Sequence, residues 1–327
     1  MEFYEFFSFL VILKESIKLL PKKGKLFSLI VILSLVLNSI LFLLFNFSVK
    51  SLTNDITVTV MNSFMPDPSS FSPDQIPNNT SFMPDPSQIL AQGEHLMKDF
   101  SLLLAVQMAF FISAFVISNL STTATVLVSA MSYNDKTLSL KDLRSRIVTT
   151  WKRALVTGFY TSLIQIGYWC LVVALAAPLL MSANKATKSA AILLGIFACI
   201  YYLYLVVVWI LAVVVSIVDE SYGMEALGKA ATLIKGKRLH GFMLSICLNL
   251  LGSIVIQVWR MILGDKGLVN LTIYGLFMMI VSSLGMFFLI VAYTVLYFQC
   301  KKIHGEEIEL YGSTEYTKLP TIQPVNR

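Results

Sequence analysis

Six continuous apolar runs, at residues 26–47, 102–131, 154–181, 189–218, 239–258 and 271–299, restrict this chain to a fold built in lipid. The hydrocarbon core of a bilayer is about 30 Å thick and a helix rises about 1.5 Å per residue, so about 20 apolar residues cross it. Every run reaches that length, and several exceed it, which implies tilt or protruding helix ends. The runs are unbroken rather than alternating, so helices are expected and a barrel is not. Composition points the same way: 56% of residues are hydrophobic and 13% charged, about half the charge of a soluble globular chain. The expected fold class is all-α, a polytopic membrane bundle of six transmembrane helices with cytosolic interfacial helices.

Lys and Arg sort between alternate connections. With the N-terminus in the cytosol, 19 of the 25 lie on the cytosolic side and the other six, Lys50, Lys98, Lys185, Lys188, Arg260 and Lys266, on the opposite side. This asymmetry orients the bundle with both termini cytosolic, and accounts for the net charge of +6 as a topology signal with a contribution from anionic lipid contact. No basic face interleaved with exposed aromatics occurs in a soluble module, so nucleic acid is not an expected partner. Three regions follow: an interfacial helix with its basic flank at 1–25, a six-span membrane domain at 26–300, and a cytosolic tail at 301–327.

Residues 1–20 are expected to be retained rather than removed as a signal peptide, since Glu2 and Glu5 stand where a positive segment belongs and no small-residue cleavage site follows. Phe3, Phe6, Phe7, Leu10, Leu13, Ile17 and Leu20 recur at helical spacing and Pro21 ends the pattern. The segment reads as an interfacial helix on the cytosolic leaflet, or one buried against the bundle. Similar elements start at Ser139, an N-cap candidate with Asp142 three residues on and Leu140, Leu143, Ile147 and Trp151 on one face, and at 222–234, closing at Gly236. Each basic helix would feed one outward and one returning span, giving three copies of one unit at 1–132, 133–218 and 219–300.

The loop at 48–98 holds six of the ten prolines between Pro66 and Pro86, and repeats Ser-Phe-Met-Pro-Asp-Pro-Ser at 63–69 and 81–87. Such a stretch is expected to be extended or mobile. Asn78 and Asn79 begin overlapping glycosylation triplets in this luminal loop, and Asn270 begins another. Cys170, Cys199 and Cys247 fall in spans, where cysteine is ordinarily a small hydrophobe. Cys300 precedes Lys301 and Lys302 at a span end, the setting of reversible palmitoylation, with an unmodified thiol as the alternative. In the tail, Tyr316 and Leu319 have the spacing that a clathrin-adaptor subunit binds in extended form.

On these boundaries every acidic and basic residue lies outside the spans, and His95, His240 and His304 lie in loops or at an interface, whereas ion- or proton-coupled transport needs an ionisable residue at depth. The second span carries Ser118, Thr122, Thr125 and Ser129 on one face with Gln107 and Asn119 nearby. Thr161, Gln165 and Tyr168 of the third span, and Asn249 and Gly252 of the fifth, are candidates to face them. Such residues serve either helix packing or a path for a small solute. No metal-ligand pair, phosphate loop or nucleophile elbow is present, so no cofactor and no catalysis is expected. Acid pairs such as Asp219-Glu220 read as solvated charges beside lysines.

The run 218–230, Val-Asp-Glu-Ser-Tyr-Gly-Met-Glu-Ala-Leu-Gly-Lys-Ala, followed by Leu233, Ile234, Lys235, Gly236, Lys237 and Arg238, resembles a family of plant six-span membrane proteins of unassigned function. It is similar, more distantly, to the membrane domain that precedes some bacterial glycerophosphodiester phosphodiesterases. A phosphodiesterase barrel needs about 250 residues, and the tail after Cys300 is far shorter, so the resemblance implies fold and membrane residence without activity. It implies a shared helix-to-turn architecture for Glu225 and Lys235, with an ion pair at the helix end. The reading is of a non-enzymatic endomembrane or plasma-membrane scaffold or adaptor, whose partners are membrane lipids and other membrane proteins. The alternative is a channel or facilitator lined by the polar face of the second span.

Overall fold

The computed structural model describes residues 8–64, 86–134, 139–181, 184–219, 221–235, 237–263 and 267–305. Among them it contains helices and no strand, in the order α1 (Ser8–Lys22), α2 (Gly24–Phe64), α3 (Pro86–Tyr133), α4 (Leu140–Met181), α5 (Lys185–Val218), α6 (Met224–Leu233), α7 (Arg238–Leu263) and α8 (Gly267–Ile303). Six helices are long and apolar enough to cross a membrane, with spans at Gly24–Asn54, Met97–Tyr133, Leu140–Met181, Lys185–Val218, Leu239–Met261 and Thr272–Ile303. The six-span bundle is thus the fold of the chain. Its spans overlap the six apolar runs and outgrow most of them at the ends, because intrahelical hydrogen bonding continues where lipid stops.

The last helix, α8, is the hub: it packs against α1, α2, α3, α5, α6 and α7. Packing is concentrated at the end of the bundle that carries α1, α6 and the α3–α4 connection, hereafter the basic end. There, residues from Thr123 to Ser132 of α3, Val207 to Val218 of α5 and Leu289 to Cys300 of α8 form the buried core. Towards the other end the helices present Leu33, Leu44, Phe111, Leu163, Phe197 and Leu251 outwards, as surfaces facing lipid do.

Several local expectations change. Pro21 does not end α1, which runs to Lys22; a proline in the last turn forgoes only one hydrogen bond, and the chain re-enters helix at once through Leu26 N–H donating to Lys23 C=O. The face of α1 that meets the bundle is Ile12, Ser16 and Leu19, held partly by the Ser132 hydroxyl donating to Leu19 C=O at 3.3 Å. Leu10 and Ile17, from the stripe singled out in the sequence, point away. The helix therefore presents apolar side chains on both sides. The segment after Ser139 is no separate element, since α4 continues unbroken from Leu140 through its span. The flanks of the 48–98 loop are helical too: α2 extends to Phe64, and Pro86 starts α3, where its missing N–H is harmless.

Candidate functional site: a polar membrane cavity and a buried ion cluster

Glycine sets the closest helix approaches. A Cβ at Gly158 of α4 would lie 2.5 Å from Asn119 Oδ1 of α3, and one at Gly241 of α7 would lie 2.7 Å from Val207 Cγ1 of α5. Asn119 is thus spent on the α3–α4 crossing, its amide donating to Phe115 C=O at 2.8 Å.

Three residues of the polar face on α3 do converge on a space. Ser118, Thr122 and Thr125 line a cavity of about 240 Å³ between α2, α3 and α8, where they meet Ser34 and Asn38 of α2 and Ser282 and Ser283 of α8. Gln107 is exposed and does not line it, and neither does Asn119. Thr125 donates to Ser121 C=O and Asn38 reaches Ser34 at 3.4 Å. No hydrogen bond to the described residues engages the hydroxyls of Ser118, Thr122, Ser282 or Ser283.

The polar residues of the third and fifth spans do not join this face. Thr161, Gln165, Ser245 and Asn249 line a second cavity of about 350 Å³ between α4, α5, α7 and α8. Gln165 donates to Tyr202 Oη at 2.7 Å, and Tyr168 Oη donates to Ala198 C=O at 2.6 Å, tying α4 to α5. Gly252 has no atom within 4 Å of where a Cβ would sit. Met286 of α8 borders both cavities and separates them.

Sequence reasoning missed the most concentrated electrostatics. Asp219, read as a solvated acid, is 9% exposed, at the C-cap of α5. Lys229 Nζ of α6 lies 2.8 Å from its Oδ2, while Tyr297 Oη of α8 donates to Oδ1 at 2.8 Å and Lys301 Nζ donates to the same oxygen at 3.3 Å. Lys301 is 8% exposed and sits 5.9 Å from the Tyr297 ring centroid. Burial pushes the Asp219 carboxyl up, but Lys229, the Tyr297 hydroxyl and Lys301 together outweigh it, so its pKa lies below the usual carboxylate value. Glu225, in the first turn of α6, makes no ion pair with Lys235; both are exposed. The signal available was the position of Asp219, the first charged side chain after the thirty uncharged residues 189–218. Its partner Lys301, 82 residues on, carries no such signal.

Gly223 completes the clamp. Its φ of 65° and ψ of −131° suit glycine alone, and its N–H donates to Thr157 Oγ1 of α4 at 2.9 Å. The fully buried Ala226 and Ala230 let α6 lie close on its neighbours. Cys300 is 1% exposed in this core, so an acyl chain on its sulfur would have to displace packed helix. Asn78, Asn79, Tyr316 and Leu319 lie outside the described residues, as does Gly236. Among the described residues, no group of three His, Cys, Asp or Glu side chains is placed to hold a metal.

A six-span helical membrane protein with an uncharged cavity and a buried ion clamp at one end is the class defined by these features. The chain belongs to the family described as "domain of unknown function (DUF8558)", whose profile matches residues 1–315. No curated protein and no solved structure matches it.

Proposed function

We propose that the protein is a non-enzymatic scaffold or adaptor embedded in an endomembrane or in the plasma membrane, with both ends in the cytosol. One observation carries this reading: the basic end is a single close-packed unit in which α8 touches six other helices and Asp219 ties α5, α6 and α8 together. That architecture supplies a rigid platform and blocks the polar cavity from that end. The similarity of 218–238 to plant six-span proteins, and to the membrane domain ahead of bacterial phosphodiesterases, is part of the same proposal, since such a domain positions other modules at a membrane. Traffic through an adaptor subunit at Tyr316 and Leu319 belongs to it as well.

Purification of the tagged full chain from membranes after mild crosslinking tests the reading. A stable, stoichiometric set of membrane proteins, lost on Lys301→Met, is the expected result. Recovery of the intact chain alone would overturn it. The rival, a facilitator for a small neutral solute, is favoured by the hydroxyl-lined cavity, and protein-dependent glycerol flux into proteoliposomes would establish it.

A further inference from the structure

The cavity between α2, α3 and α8 lies deep in the membrane domain. Ser34 and Asn38 are ten and fourteen residues into α2, roughly 15 and 21 Å along a helix, and thus in the middle of the span. A hydroxyl without a partner at that depth is expensive, and Ser118, Thr122, Ser282 and Ser283 all face the space in that state. Polar groups so placed need a ligand or water to satisfy them.

The ends of the cavity decide how a ligand enters. Towards the basic end, Phe27 and Phe287 meet edge to face at 5.8 Å, and Ile30 and Ile290 are buried beside them. Towards the other end, Phe42 lies against Gly275 and Phe45 lies 4.2 Å from Phe110. Aromatic contacts thus cross the bundle axis above and below the cavity. Entry is sideways, between helices, from lipid. Ser118 and Ser282 are exposed within this belt.

The chemistry of the lining selects among lipids. Its side chains are neutral hydroxyls and an amide with apolar neighbours, and no charged residue lines the cavity. A phosphate would find no cation, whereas a hydroxyl or ester group finds both donors and acceptors. A volume of about 240 Å³ equals roughly eight waters at ~30 Å³ each, enough for a glycerol-sized headgroup whose acyl chains remain outside.

We propose that this cavity is a binding site for the headgroup of an uncharged, hydroxyl-bearing lipid of the diacylglycerol or ceramide kind, admitted laterally between the helices. It goes beyond the scaffold reading and does not depend on it.

The test uses the full-length protein in lipid nanodiscs with photoreactive diacylglycerol, ceramide and phosphatidic acid carrying the same diazirine acyl chain. Saturable labelling of α2, α3 or α8 by the diacylglycerol or ceramide probe, competed by its unlabelled lipid, is expected; which of the two labels identifies the source. Thr122→Val combined with Ser283→Ala removes two hydroxyls at nearly constant volume and should lower that labelling about tenfold. Thr161→Val in the second cavity should leave it unchanged. Elution of the variants at the wild-type position on size exclusion separates lost binding from misfolding, and Ala114→Leu, which fills the cavity, gives an independent block. Equal labelling by phosphatidic acid, unsaturable labelling, or labelling indifferent to both cavity variants would overturn the proposal. So would glycerol flux through proteoliposomes that disappears with the double variant, since that would make the cavity a solute path.

Discussion

An anion at the C-terminus of a helix faces the negative end of the helix dipole, and Asp219 occupies that position on α5. It is kept ionised by two ammonium groups and a phenol from other helices, an arrangement that only the folded chain assembles. The two lysines are not equivalent. Lys301 is nearly buried, whereas Lys229 is 38% exposed and its pair is weakened by solvent. Breaking a buried pair from one side costs about 3–5 kcal/mol, and a surface pair contributes about 1 kcal/mol or less. Lys301→Met should therefore lower the unfolding temperature in detergent markedly, and Lys229→Met only slightly; equal losses would refute the ranking. The sign with pH follows from the depressed pKa of Asp219. Its stabilising contribution is full above the unfolded value of about 3.9 and fades as pH falls through the lower folded value. The stability gap between wild type and Asp219→Asn should accordingly hold near neutrality and narrow below about pH 4.

At the scale of elements, periodicity revealed where helices are but not which neighbour each face meets. The apolar stripe of α1 was legible, yet lipid and protein are both apolar partners, so hydrophobicity could not tell the Ile12 and Leu19 side from the Leu10 and Ile17 side. The polar residues of α3, α4 and α7 likewise read as one face, whereas crossing geometry divides them between two cavities with Met286 between. Glycine was equally ambiguous. Gly241 and Gly252 lie on the same helix, and the sequence ranks neither above the other. A methyl at Gly241 meets Val207 Cγ1 at 2.7 Å, with Leu296 and Ile234 close behind, while a methyl at Gly252 meets nothing within 4 Å. Gly241→Ala is expected to destabilise by about 1–3 kcal/mol, the usual range for overpacking. Gly252→Ala should be neutral or slightly stabilising, because alanine gains about 1 kcal/mol over glycine in a helix. Paired thermal-shift measurements decide the matter, and a loss at Gly252 as large as at Gly241 would discredit the close approach of α5 and α7.

For the molecule as a whole, spans and sidedness rest on two independent signals. Apolar run length gave the six crossings, which the helices reproduce, because the bilayer imposes one length scale on every segment. Sidedness comes from Lys and Arg alone, and an even number of spans puts both ends of the chain on the same side. The helices add a detail to the glycosylation expectation. The apolar run on α2 ends at Phe47, but the helix continues seventeen residues further to Phe64, a rise of roughly 26 Å. On the sidedness expected from Lys and Arg, α2 therefore carries the chain beyond its apolar run towards the side where a luminal transferase acts. In sealed microsomes, added protease should remove a C-terminal tag and spare the 48–98 loop, and endoglycosidase should increase gel mobility. That mobility change should vanish when Thr80→Ala is combined with Ser81→Ala, which destroys both overlapping triplets. A protected tag would invert the bundle and place all 19 clustered Lys and Arg on the wrong face. An accessible tag without a mobility change would keep the orientation and leave the loop unmodified, so the two measurements separate the charge argument from the acceptor argument.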